Sequence, residues 1–120
     1  MGSVDWPLER LVEYRPELTA MDDFHEFWNR QLERSRVTAL EPEFVEREYT
    51  LPEARVFDVA FSGEDGVRVR GWFLTPQDIS EPLPVVVRFI GYTGGRAFPH
   101  SHAYHVLNGF CLLVMDSRGQ

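Results

Sequence analysis

The sequence predicts an α/β fold in which an antiparallel hairpin leads into a parallel βαβ unit, and three observations carry that expectation. Residues 85–90, Val85-Val86-Val87-Arg88-Phe89-Ile90, form a nearly continuous β-branched and aromatic run, the pattern of a strand covered on both faces in a parallel sheet. The glycine loop Gly91-Tyr92-Thr93-Gly94-Gly95 and a second apolar run, 110–115, follow at the spacing of one crossover helix, which completes the βαβ unit. Upstream, the short polar stretch Gly63-Glu64-Asp65-Gly66 separates two alternating runs, the signal of a β-hairpin.

Taken in order, Pro7 and Pro16 bracket a short helix over 8–14. A longer helix follows. Thr19 with Asp22 three residues on resembles a capping box, and Phe24, Phe27, Trp28 and Leu32 recur at helical spacing until about Ser35. That face is large and apolar, so it is expected to pack in a core rather than to form an aromatic ligand box. Strands are expected at 44–51, 56–62 and 67–75. Phe57, Val59 and Phe61 alternate with Asp58 and Ala60, while in the returning strand Val67, Val69 and Phe73 oppose Arg68, Arg70 and Trp72. Pro76, Pro82 and Pro84 make 77–84 a surface loop. Cys111 lies inside the last apolar run and reads as a buried, unreactive thiol rather than a disulfide partner or nucleophile.

A chain of 120 residues suits one modest domain, organised as helices over 1–36, antiparallel strands over 44–75 and the βαβ unit over 85–120. The net charge is −7, and the 12 basic residues are all Arg and scattered. Without a basic stripe there is nothing to follow a phosphate backbone, so nucleic acid is not an expected partner. No apolar run approaches the ~18 residues of a membrane span. Residues 1–10 carry Asp5 and Glu9 and no apolar stretch of signal-peptide type, so a cytoplasmic location is expected.

The glycine loop is where chemistry is expected. A tight loop at the carboxyl end of a strand turns backbone N–H groups outward, where open α/β sheets place their ligands. Acyl transfer needs such donors where a carbonyl oxygen becomes an oxyanion, and residues 91–95 are placed to supply one. Gly91, Gly94 and Gly95 allow close backbone approach. At the end of the next strand, Asp116 and Arg118 can pair across the turn and buttress this loop. The plainer alternative is a ligand-free turn beside a surface ion pair worth little.

Four motifs in order carry a resemblance to a known family: Phe57-Asp58-Val59-Ala60-Phe61-Ser62-Gly63, Gly71-Trp72-Phe73-Leu74-Thr75-Pro76, Gly91-Tyr92-Thr93-Gly94-Gly95-Arg96-Ala97-Phe98-Pro99 and Met115-Asp116-Ser117-Arg118-Gly119-Gln120. With Pro7-Leu8-Glu9, Tyr14-Arg15-Pro16-Glu17 and Asp23-Phe24-His25-Glu26-Phe27-Trp28, they resemble the acetyl xylan esterase and cephalosporin C deacetylase family, of α/β-hydrolase fold. Thr93 stands where Asn is more usual in that family. The resemblance implies a single, incomplete α/β-hydrolase domain, the amino-terminal portion of a cytoplasmic serine esterase. Its substrates would be acetylated xylo-oligosaccharides, cephalosporin C or similar small acetyl esters, with no cofactor and a homohexameric assembly. A Ser nucleophile, a His base and an orienting Asp would act, with the Tyr92 backbone N–H as one oxyanion donor and the residue after the Ser supplying the other. None of Ser3, Ser35, Ser62, Ser80, Ser101 or Ser117 lies in a Gly-x-Ser-x-Gly elbow, so residues 1–120 alone are expected to be inactive. An apolar sheet edge is expected beside the 110–115 strand.

Three rival readings compete. His100-Ser101-His102-Ala103-Tyr104-His105 resembles the ligand motif of zinc-dependent hydrolases, but Tyr104 stands where an Asp belongs and no carboxylate completes the set. Asp116 follows the glycine loop at roughly the spacing of a ribose-binding acid, yet the loop is not Gly-x-Gly-x-x-Gly. A non-enzymatic remnant or interaction module of hydrolase origin is the third.

Overall fold

The computed structural model describes residues 5–117, and the chain divides into two compact units, one ending at Leu32 and one starting at Glu33. In the first unit, α1 (Leu8–Glu13) follows Pro7, whose carbonyl accepts the Arg10 and Leu11 N–H groups. Trp6 meets Tyr14 edge to face at 5.2 Å, and the Arg10 guanidinium lies 3.8 Å over the Trp6 ring. The next helix, α2 (Phe24–Val37), crosses the unit boundary. It begins later than the Thr19–Asp22 pattern suggests: the Phe24 N–H bonds the Met21 carbonyl and the Phe27 N–H that of Asp23, so a turn over 21–24 nucleates it. Its apolar stripe departs from the expected core role, because Phe24, Phe27, Trp28 and Leu32 all remain exposed. Phe24 and Phe27 each set their rings edge to face against Trp28, so the stripe packs on itself.

The second unit is built on a five-stranded sheet of order β1-β2-β3-β5-β4. β1 (Glu43–Arg47), β2 (Ala54–Ser62) and β3 (Arg68–Pro76) form an antiparallel meander. The 44–51 run is strand only to Arg47; past it, Leu51 N–H turns back onto the Tyr49 carbonyl. The hairpin between β2 and β3 turns through Asp65 and Gly66, both left-handed at φ 58° and 72°, and closes with a Gly63 N–H to Val67 carbonyl bond of 2.8 Å. β4 (Val85–Arg88) and β5 (Cys111–Met115) are adjacent and parallel, joined by the glycine loop, a 3₁₀ turn (Pro99–His102) and α3 (Ala103–Leu107). β5 inserts between β3 and β4, antiparallel to the first.

That insertion decides which strand is the edge. Among the described residues the edge on this side is β4, not the 110–115 strand, whose two sides are both paired. Val85 and Val87 are 53% and 49% exposed, so the coverage on both faces anticipated for 85–90 is not realised among the described residues.

Strand register sorts the side chains into rows. Val56, Leu74, Leu112 and Val86 are successive cross-strand partners, and the first three are at most 1% exposed. With Ala54, Val106 of α3 and Val114 they form the core on one face. Cys111 is also buried, in register with Val85 on the other face, and burial raises its thiol pKa, which leaves it protonated and inert. Phe57, Phe73, Leu113 and Val87 form the neighbouring row on the opposite face. Two positions along from the buried row, on its own face, lie Asp58, Trp72, Val114 and Arg88. The register thus carries a carboxylate, an indole and a guanidinium to the carboxyl ends of β4 and β5.

Candidate functional site

The loop leaving β4 makes a tight turn before it reaches the 3₁₀ turn. Gly94 N–H donates to the Gly91 carbonyl at 3.0 Å, and Thr93, third of the four residues, is left-handed at φ 61° while Tyr92 is not. That is the type II pattern, which favours Gly or Asn at the third position. A Cβ on Gly94 would lie 3.1 Å from the Gly91 carbonyl oxygen, a tight approach that favours glycine there.

Gly91, Gly94 and Gly95 line a cleft of about 250 Å³ together with Arg88, Ile90 and His102. Tyr92 sits at the tip of the turn with its side chain wholly exposed and is not part of the cleft wall. Its backbone N–H donates no hydrogen bond to any of the described residues.

Asp116 follows the end of β5 and extends its ladder, its N–H donating to the Arg70 carbonyl at 2.8 Å. Its carboxylate turns to the loop: Oδ1 accepts the Arg96 backbone N–H at 2.6 Å, and Oδ2 lies 3.3 Å from Arg96 Nε. A Cβ on Gly95 would stand 3.3 Å from the same Oδ1. Asp116 and Gly95 therefore meet closely. Arg118 lies outside the described residues; among those described, Arg96 is the arginine that Asp116 engages.

Arg96, quoted in the glycine-loop motif but given no role by its type or spacing, is the hub of the site. Its Nη1 donates to Asp58 Oδ1 and to the Gly71 carbonyl, both at 2.8 Å, and its guanidinium lies 4.1 Å over the Trp72 ring. Trp72 Nε1–H donates at 2.9 Å to the carbonyl of Ala97, a residue left-handed at φ 53°. Burial pushes the Asp58 carboxyl up, but hydrogen bonds from Arg96 and Arg47 outweigh it and hold the pKa below the usual carboxylate range. The signal available in the sequence is slight: an acid within the period-two strand pattern and an arginine directly after two glycines.

His102 closes the cluster from α3's side. It is 3% exposed, its Nδ1 lies 3.3 Å from Arg88 Nη1, and its Nε2 lies 2.9 Å from the Arg96 carbonyl. A guanidinium only donates and a carbonyl only accepts, so the ring is neutral with its proton on Nε2. Burial lowers its pKa first; the Arg96 carbonyl opposes this, and the charges of Arg88, His105 and His100 reinforce it. The other histidines of the motif turn elsewhere: His100 Nδ1 bonds the Tyr49 hydroxyl at 2.7 Å, and His105 Nδ1 lies 3.4 Å from the His102 carbonyl. No group of three His, Cys, Asp or Glu side chains placed to hold a metal occurs among the described residues. No helix among them is long and apolar enough to cross a membrane.

Comparison with known proteins bears on the whole chain. Residues 1–120 match the family model described as acetyl xylan esterase (AXE1). Among solved structures, an acetyl xylan esterase from Paenibacillus sp. R4 is similar at 35% identity and TM-score 0.83 over 96% of this chain. Acetyl xylan esterase 1 from Thermoanaerobacterium sp. JW/SL YS485 is similar at 31% identity and TM-score 0.82 over 97%. The chain spans 37% and 36% of the lengths of those two proteins.

Proposed function

Since the chain belongs to the acetyl xylan esterase family, we propose that it is the amino-terminal portion of a serine carboxylesterase and carries half of its oxyanion site. The substrate class is an acetylated xylo-oligosaccharide, cephalosporin C or a similar small acetyl ester. A cytoplasmic homo-oligomer, hexameric as the resemblance implies, and a single domain completed by further sheet strands belong to the same reading.

The chemistry assigned to these residues is stabilisation of charge. Attack on the acetyl carbonyl by a serine converts its oxygen to an oxyanion, and a fixed N–H aimed there stabilises the transition state more than the ground state. Tyr92 N–H is that donor in this reading, and Gly91, Gly94 and Gly95 let the backbone approach the ester. Asp116 supports the loop, and Arg118 is a second candidate for that task. The observation that carries the reading is a tight turn at the carboxyl ends of β4 and β5 whose tip N–H is unpaired among the described residues while its base is tied to the sheet.

Tyr92→Pro in the full-length esterase is the test. Position two of a type II turn accepts proline, so the substitution removes the N–H and preserves the turn. A fall in kcat of about a hundredfold to a thousandfold is expected. Tyr92→Ala, which removes the ring and keeps the N–H, should retain most of kcat. Near-normal turnover by a folded Tyr92→Pro enzyme would place the donor elsewhere.

A further inference from the structure

We propose that Arg96 is the positioning residue of the oxyanion loop, setting where the Tyr92 N–H stands relative to the sheet through a clamp made with Asp58, Asp116, Trp72 and His102. The proposal rests on Tyr92 being the donor. The Arg96 end of the loop is bonded to groups outside the loop. On the Tyr92 side the turn is closed by Gly94 N–H to the Gly91 carbonyl, a bond internal to the loop. On the Arg96 side the backbone N–H, the carbonyl and the side chain are each bonded to something outside it. These partners are Asp116, His102, and Asp58 with the Gly71 carbonyl.

The partners belong to β2, β3, the end of β5 and the 3₁₀ turn. A residue four positions after Tyr92 thus refers the loop to four separate pieces of the second unit at once. The side chains concerned are mostly buried, at 22%, 13% and 16% exposure for Arg96, Asp58 and Asp116, so water does not screen the pairs as it does on a surface. Only a guanidinium fits this place. Nη1 serves Asp58 and Gly71 while Nε faces Asp116 and the plane covers Trp72, whereas an ammonium is a point charge without that fork. The neighbouring Ala97, left-handed without being glycine, shows the clamp holding backbone in a conformation that the local sequence does not favour.

A clamp that positions the donor makes a prediction that a merely stabilising cluster does not. Arg96→Met in the full-length esterase should lower kcat for a small acetyl ester, p-nitrophenyl acetate, by about tenfold to a hundredfold, the cost of displacing an aligned group by about an ångström. KM should stay within about twofold, since the interaction lost is one made in the transition state. The decisive measurement is the same substitution in the Tyr92→Pro background, with rates normalised to folded protein. With no donor left to position, its effect should shrink to less than about twofold. An equal fall in both backgrounds, or an unchanged kcat with only a lower melting temperature, overturns the proposal and leaves Tyr92 as donor. Normal turnover of Tyr92→Pro itself overturns the donor reading instead, and this proposal with it. Should Arg96→Met not fold, Asp58→Asn weakens one arm of the clamp and is read through the same cycle, with the same outcomes deciding.

Discussion

At Thr93 a β-branched side chain occupies a left-handed position, φ 61°, that the turn requires and that Asn or Gly adopts more readily. The family resemblance anticipates Asn at that place, and the turn supplies the physical reason. Thr93→Asn is expected to raise the unfolding free energy by up to about 1 kcal/mol, the lower end of the strain such residues carry. A urea midpoint equal to or below that of the parent would show that Thr93 is not strained. The residues of the site are unequally legible in the sequence. Gly91, Gly94, Gly95 and Asp116 stand out by type and spacing, because a glycine run after a strand and an acid at the end of the next have few uses. Arg96, Asp58, Trp72 and His102 do not, because each is ordinary in its own segment; for Arg96 the partners that give it meaning lie up to 38 positions away. For His102 the misleading signal is the motif around it, which groups three imidazoles in sequence while their bonds lead to Tyr49, Arg88 and a backbone carbonyl.

Among the elements, the β3–β5 pairing joins the antiparallel meander to the parallel unit, and Gly71 is its tightest point. A Cβ there would stand 2.9 Å from the Val114 carbonyl oxygen, a distance that Cβ carbons essentially never show, and neither strand can move without breaking its ladder. Gly71→Ala is expected to destabilise the second unit by about 1–3 kcal/mol, the usual cost of overpacking. It also disturbs the carbonyl that receives Arg96. Urea unfolding followed by tryptophan fluorescence, with Trp6 and Trp28 replaced by Phe in parent and variant alike so that Trp72 alone reports, measures it; an unchanged midpoint would mean that the strands part at little cost. The hairpin and the βαβ unit are readable because period-two alternation and turn chemistry are local. The true start of α2 is not, because Met21 and Asp23 nucleate it with backbone carbonyls, which carry no side-chain signature.

For the molecule as a whole, acid should loosen the second unit in two stages. His102 has a lowered pKa when folded, so as pH falls below about 6.5 the unfolded chain takes up a proton first and stability declines until the folded ring also titrates. Asp58 is depressed as well: its contribution is whole above the ordinary carboxylate pKa of about 3.9 and disappears as pH falls through the lower folded value. Urea midpoints measured from pH 7 to pH 3 should therefore fall in both windows. His102→Gln, whose amide can still donate to the Arg96 carbonyl, should flatten the first and spare the second. A profile with no slope between about pH 6.5 and 5, identical in parent and variant, would contradict the assignment. The same unit carries an open apolar face, a groove of about 250 Å³ lined by residues including Phe44, Val59, Phe61, Phe73, Val85 and Leu113.

By itself the sequence determined the order and type of the elements, the hairpin, the βαβ unit and the glycine loop at the end of a strand, since these follow from periodicity and turn residues within a few positions of one another. Only the tertiary structure decided which face is buried and which strand is the edge. The row Phe57, Phe73, Leu113 and Val87 is as apolar as Val56, Leu74, Leu112 and Val86, yet α3 packs through Val106 on the face of the second row. Insertion of β5 between β3 and β4 is likewise a choice of topology, one that two equally apolar runs leave open. The clamp on Arg96 follows from that choice: β5 beside β3 puts Asp116 next to Arg70 and Trp72 next to Val114, and the loop's arginine finds its carboxylates where the two chain directions meet.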